Sequence, residues 1–267
     1  MWFHGRNKRP SAEEVAKRLV VLKYVVGYAV ATPPRDMLKQ WLESLSKSER
    51  TNFARDAEVW RNEYWKNFHT LGLWSVLSPQ ERTFASTTML TMTHQQQLNM
   101  LWRIEAVQVL AWAIGLVKNL PPYDNPANHD LLKVIPSEAV ERFVKSVRLL
   151  PSAEIDKARD VAELWHWRSR TRELVEEGRT LDPDPKVREA GFNSFDDIVR
   201  FTANRCKEER LLEVIDEDFA VLKKAYRDLS SEEWYEVRSI TMERHFALNW
   251  LCGYAPNNQW DETPTDT

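Results

Sequence analysis

The sequence predicts an all-α protein, a single-domain irregular bundle of about eight to ten helices around one central buried helix. Three observations carry that prediction. First, helix-start patterns recur along the chain, with Ser11-Ala-Glu-Glu14, Ser46-Lys-Ser-Glu49, Ser78-Pro-Gln-Glu81 and Ser230-Ser-Glu-Glu233 as the clearest. In each, a serine accepts from an orphan amide while the carboxylate three residues on reaches back to the cap. Second, only 7 of 267 residues are glycine, too few for many tight β-turns or for Gly-rich phosphate loops. Third, Leu101–Val117 is apolar nearly all the way round, the mark of a helix inside a bundle.

Taken in order, residues 1–10 form a flexible basic arm, and Ser11 opens a helix to about Ala31 through Val15, Leu19, Leu22 and Val26. Pro33-Pro34 ends it and starts a second helix carrying Met37, Leu38, Trp41 and Leu45. The Ser46 box starts a long third helix through Trp60, Trp65 and Phe68, closed by Gly72. The helix after Ser78 weakens through the Thr/Ser-rich 84–93 stretch before the central helix begins near His94. Residues 121–136 form a loop, Ser137–Leu149 a short amphipathic helix, and Ser152 caps a long helix stopped by Gly178. A second loop spans Arg179–Asn193, and Ser194-Phe-Asp-Asp197 starts another helix. Phe219–Leu222 is the one short apolar run of strand length, and an isolated strand has nothing to pair with. The helix after Ser230 runs from Trp234 to Cys252, which closes the domain at residue 256 and leaves an acidic tail over 257–267.

The composition excludes several classes of function. Net charge is −3 with acids and bases interspersed, whereas a nucleic-acid protein shows a basic face, so nucleic acid is disfavoured as a partner. Two cysteines, Cys206 and Cys252, stand without a C-x-x-C or Cys/His cluster, so neither a disulfide framework nor a metal site is expected. The N-terminus lacks the apolar core of a signal peptide, and Arg103, Glu105 and Lys118 interrupt the best membrane-span candidate. A cytoplasmic location is therefore expected, with no membrane partner. No G-x-G-x-x-G, P-loop or G-x-S-x-G motif is present, and no cofactor is implied.

The sharpest local signal is charge where a core should be. Glu105 shares a helical face with Trp102, Val109, Trp112 and Leu116, and Arg103 shares one with Val107, Leu110 and Ile114. In the last helix the stripe Trp234, Val237, Thr241, Arg244, Leu248, Leu251 carries Arg244 inward. A buried charge persists only when paired and hydrogen-bonded, so Glu105 and Arg244 are expected to meet. Arg103, His245 and Asn249 should lie near them, with Trp112 on the same side. Secondary candidates are His166 and Arg168 in Trp165-His-Trp-Arg168, and Asp261 and Asp266 in the tail.

Several blocks of the sequence resemble the bacterial domain-of-unknown-function family 4272. They are Tyr226-Arg-Asp-Leu-Ser230, Ser239–Leu251, Trp260–Thr267, Leu101–Gly115, Leu164–Arg168 and the opening Arg9–Leu22. The resemblance implies a bacterial, single-domain, soluble protein. It carries over no activity, cofactor or catalytic set. Two readings of function then stand side by side. One is a non-catalytic protein-interaction or regulatory module (a regulator, adaptor or toxin-neutralising partner), with homo-oligomers allowed. The other is an enzyme or small-molecule binder with an anionic-ligand pocket around Glu105 and Arg244, where the arginines clamp the anion and Glu105 handles a proton.

Overall fold

The computed structural model of the chain describes residues 8–181, 188–189 and 191–265. Among them are ten α-helices: α1 (Ala12–Ala31), α2 (Arg35–Ser44), α3 (Lys47–Thr70), α4 (Pro79–Ala85), α5 (His94–Ala113), α6 (Leu131–Val134), α7 (Val140–Ser146), α8 (Ser152–Glu176), α9 (Phe195–Glu208) and α10 (Ser231–Leu251). The fold is all-α apart from one small sheet. Capping boxes start α1, α3, α4, α9 and α10 at Ser11, Ser46, Ser78, Ser194 and Ser230. Thr93 and Gln96 form a further box at α5. Two expected starts are displaced. Pro151, not Ser152, stands at the cap of α8 and gives no side-chain bond, and α7 begins at Val140 rather than near Ser137.

Helix α5 is the centre of the bundle, packed against α1 on one side and α10 on the other, while α10 packs in turn on α8. Every residue from Ile104 to Ala113 is buried. The helix stops four residues short of the expected Val117, because Gly115 adopts φ +76. The Leu116 amide then bonds back to the Ala111 carbonyl at 2.9 Å, a left-handed C-terminal stop that favours glycine. Gly115 therefore serves a turn, with nothing within 4 Å of the position its side chain would take. A close approach falls at Gly27, where an added Cβ would stand 2.6 Å from the Tyr64 hydroxyl. That hydroxyl donates to the Tyr24 carbonyl at 2.8 Å and ties α3 to α1.

The short run at Phe219 is not isolated. Strands β1 (Val214–Ile215), β2 (Asp218–Val221) and β3 (Lys224–Ala225) form an antiparallel sheet in chain order, with Val214 opposite Phe219 and Ala220 opposite Ala225. Each connection is a two-residue turn with positive φ at both positions, Asp216-Glu217 and Leu222-Lys223. Such turns usually contain Asn or Gly, and their absence here hides the hairpins. The sheet anchors a second small core of Trp165, Ala203, Cys206, Phe219, Val221 and Tyr226.

The packed chain runs beyond the expected boundary at 256. Trp260 is buried against Phe246 and Trp250, and Asn249 Nδ2 donates to the Pro264 carbonyl at 2.8 Å. At the other end, Arg9 and Pro10, expected in the arm, are tied down: Pro10 is buried and Arg9 pairs with Asp156 at 2.5 Å. Among the described residues no helix is long and apolar enough to cross a membrane.

Candidate functional site

Glu105 on α5 and Arg244 on α10 meet in the middle of the molecule. Arg244 Nε donates to Glu105 Oε2 at 2.8 Å, and both side chains are 0% exposed. The rest of the guanidinium serves the loop that follows α5. Nη1 donates to the carbonyls of Pro121 (2.5 Å) and Pro122 (3.1 Å), and Nη2 to that of Asn125 (3.0 Å). The other carboxylate oxygen of Glu105 accepts from the Ala127 amide at 2.7 Å. A loop rich in proline has few amides to form a ladder, so its carbonyls need an outside donor, and the planar fork of arginine supplies one. The pair is a brace that fixes the 121–127 loop. It leaves the guanidinium no free face for an anionic ligand.

The other candidates divide into separate braces. Arg103 Nη1 pairs with Glu243 at 2.9 Å and its guanidinium lies 4.3 Å from the Phe246 ring centroid, so Arg103 has a carboxylate partner of its own. Burial holds the Glu243 carboxyl above its usual range despite that partner. Asn249 accepts from Arg159 Nε at 2.9 Å, and Arg159 also pairs with Glu163 at 2.6 Å. His245 is fully buried with its Nδ1 2.9 Å from His166 Nδ1 across the α8–α10 contact. Burial, with His166 and Arg159 adding to it, pushes the His245 imidazole down to about 2, so it is neutral at physiological pH. Arg168 makes a bidentate pair with Asp218, at 2.7 Å and 2.6 Å, and Asp218 also accepts from the amides of Phe219 and Arg227. Asp261 accepts from the Gln80 amide at the start of α4, at 2.9 Å. Asp266 lies outside the described residues. Among the described residues no three His, Cys, Asp or Glu side chains come together to hold a metal ion.

Beside the central brace, on the far side of the loop, lies a cavity of about 680 Å³. Trp112, the only one of the six principal candidates to line it, closes its floor with Leu120 and Tyr123. One wall is a stripe of α8, Glu154, Lys157, Ala158, Val161 and Trp165; the other is the β1–β3 sheet, the hairpin wall, with Val221 and the lead-in residues Leu212 and Glu213. Tyr123 links cavity and brace. Its ring stacks on Trp165 at 5.2 Å and 25°, and the Arg244 guanidinium sits 5.0 Å from its centroid. Burial raises its hydroxyl above the usual range, so it stays a neutral phenol. Sequence reasoning missed Tyr123, Asp124, Glu154 and Glu213. The one available signal was the spacing Glu154, Ala158, Val161, Trp165, which puts a carboxylate at the end of an apolar stripe.

The sequence profile of a domain of unknown function, DUF4272, matches residues 5–189, over two thirds of the chain. The chain belongs to the DUF4272 family. No curated protein and no solved structure matches it. The DUF4272 span takes in the blocks at Arg9–Leu22, Leu101–Gly115 and Leu164–Arg168, whereas those at Tyr226–Ser230, Ser239–Leu251 and Trp260–Thr267 follow it. The five pairs just described cross that limit, whereas the buried pair of Arg18 with Glu81 lies inside it. Glu105, Arg103, Arg159, His166 and Arg168 lie inside the DUF4272 span, and their partners Arg244, Glu243, Asn249, His245 and Asp218 lie beyond it. Residues 191–265 therefore complete the same physical unit.

Proposed function

We propose that the protein is a non-catalytic binding module, a regulator or adaptor that seats its ligand in the cleft between the 120–124 loop, α8 and the hairpin. One observation carries the reading: the buried charged groups are spent on one another and on loop backbone, while the adjoining cleft is roomy and mostly apolar. Catalytic chemistry asks for an acid–base group or nucleophile held in place against the substrate, whereas Glu154, Lys157 and Glu213 of the cleft are exposed rim residues. Glu105 and Arg244 are sealed from solvent. Burial pushes the Cys252 thiol up to about 12 and raises that of Cys206, which disfavours a thiolate nucleophile at either. The cleft, by contrast, has the size and apolar lining of a small-molecule site. A cytoplasmic setting belongs to the same proposal, and two free, buried thiols fit it.

The test uses a variant that fills the cleft, Ala158→Arg, with its fold checked by circular dichroism. A chemically diverse fragment library is screened by ligand-observed NMR against both proteins. Binders to the wild type that are lost in the variant support the proposal. Binders indifferent to the variant, an empty screen, or conversion of a bound compound into a new product would each overturn it.

A further inference from the structure

The cleft is chemically lopsided. Its apolar interior includes three aromatic side chains, Trp112, Tyr123 and Trp165, and its rim carries Asp124, Glu154 and Glu213 against a single base, Lys157. Glu154 and Lys157 are exposed on the first turns of α8, so the lysine is free to move with solvent. Asp124 is more firmly held, since its Oδ2 accepts from the Leu222 amide at the hairpin tip at 3.0 Å. That bond also ties the loop to the hairpin wall. Arg244, the nearest buried cation, stands behind the Tyr123 ring and is neutralised by Glu105.

From this arrangement, and resting on the binding-module reading above, we infer that the cleft takes a small organic cation: a protonated or quaternary amine on an apolar body. The apolar body displaces water from Trp112, Val161 and Leu212. The ammonium group lies toward the carboxylate rim, where the surplus of negative charge favours a cation. An anion of the same shape would meet three carboxylates and one mobile lysine. Discrimination by charge is then the signature of the site, because shape and apolar area are held constant across an isosteric series.

The experiment is calorimetric titration of the full chain with 3-phenylpropylammonium, 3-phenylpropanol and 3-phenylpropionate, each at low and at raised salt. The ammonium compound is expected to bind about tenfold more tightly than the alcohol, and the carboxylate more weakly than either. Raised salt narrows the gap, since the rim is exposed. In the double variant Glu154→Gln, Glu213→Gln the ammonium compound falls to the affinity of the alcohol, and the alcohol is unchanged. A lysine side chain from a partner protein has the same chemistry, so Nα-acetyl-lysine methylamide is the fourth ligand; tighter binding of it than of the free amine overturns the small-molecule assignment. Equal affinities for amine, alcohol and carboxylate, all abolished by Ala158→Arg, overturn the charge preference and leave the binding-module reading standing. No binding by any of the four overturns the inference, and the fragment screen judges the wider reading separately.

Discussion

Replacing Arg244 by methionine tests the central brace most directly. The side chain gives one bond to Glu105 and three to the carbonyls of Pro121, Pro122 and Asn125. Met fills a similar volume and restores none of them. Glu105 then keeps a single donor, the Ala127 amide, in a place water does not reach. Breaking a buried ion pair from one side costs about 3–5 kcal/mol. Against a total stability of about 5–15 kcal/mol that is a large loss, one that still leaves folded protein to measure. The double variant Glu105→Leu, Arg244→Met removes the stranded charge. Its cost should therefore fall below the sum of the two single variants by about 2–3 kcal/mol. Urea unfolding measures all four corners of the cycle, and hydrogen exchange follows residues 121–127. The Arg244→Met protein should lose protection in that loop first. Additivity of the two single variants within about 0.5 kcal/mol, or an unchanged loop, would refute the brace.

Two further outcomes follow from the neighbouring pairs. In the unfolded chain His245 takes up a proton near its ordinary value of 6.5, whereas in the folded protein it stays neutral down to about 2. The unfolded state therefore binds more protons throughout that window, and stability drains away as pH falls through it; at pH 5 the loss is about 2 kcal/mol. Wild type should lose that much more than His245→Asn between neutral pH and pH 5 in denaturant titrations, and parallel curves would sink the assignment. Arg168→Met should cost about 3–5 kcal/mol by stranding the Asp218 carboxylate. Since Asp218 also holds the Phe219 and Arg227 amides, the amide signals of β1 to β3 should broaden before those of α1. Uniform loss across both would refute a local role.

What could be read from the sequence follows from the range over which each force acts. Helix starts were readable because a capping box is closed within three residues, as at Ser11 and Ser230. Glu105 and Arg244 were readable because a charge inside an apolar stripe must have a partner, and only a few candidates existed. The pairing of Arg103 with Glu243 was not, since Glu243 sits one step from Arg244 on the helix, and the choice depends on how α5 and α10 cross. Asp218 was hidden for another reason. It lies in Ile215-Asp-Glu-Asp-Phe219, a run that reads as solvated acid, and the turn on which its burial depends uses Asp216 and Glu217 in a backbone region where glycine or asparagine is the usual sign. The cleft was out of reach altogether, because its lining comes from separate segments, 112–124, 154–165 and 211–221, that neither periodicity nor capping relates.

The braces also bear on how far the folded unit extends. A family match ends where sequence similarity fades, but a folded unit ends where its buried groups have no partner left to find. Judged by the second criterion, residues 5–189 are incomplete: on their own they would bury or expose Glu105, Arg103 and Arg168 with no counter-charge, and α5 would lose the face that α10 covers. Adding residues 191–265 supplies each counter-charge, the Pro264 acceptor for Asn249 and the Trp260 ring beside Arg18 and Arg103. The same residues supply the hairpin wall of the cleft. Stability and the shape of the cleft therefore depend on the same C-terminal portion. A change that loosens the hairpin, at Asp218 for instance, reaches the cleft through Glu213 and Val221 without touching any residue of the central brace.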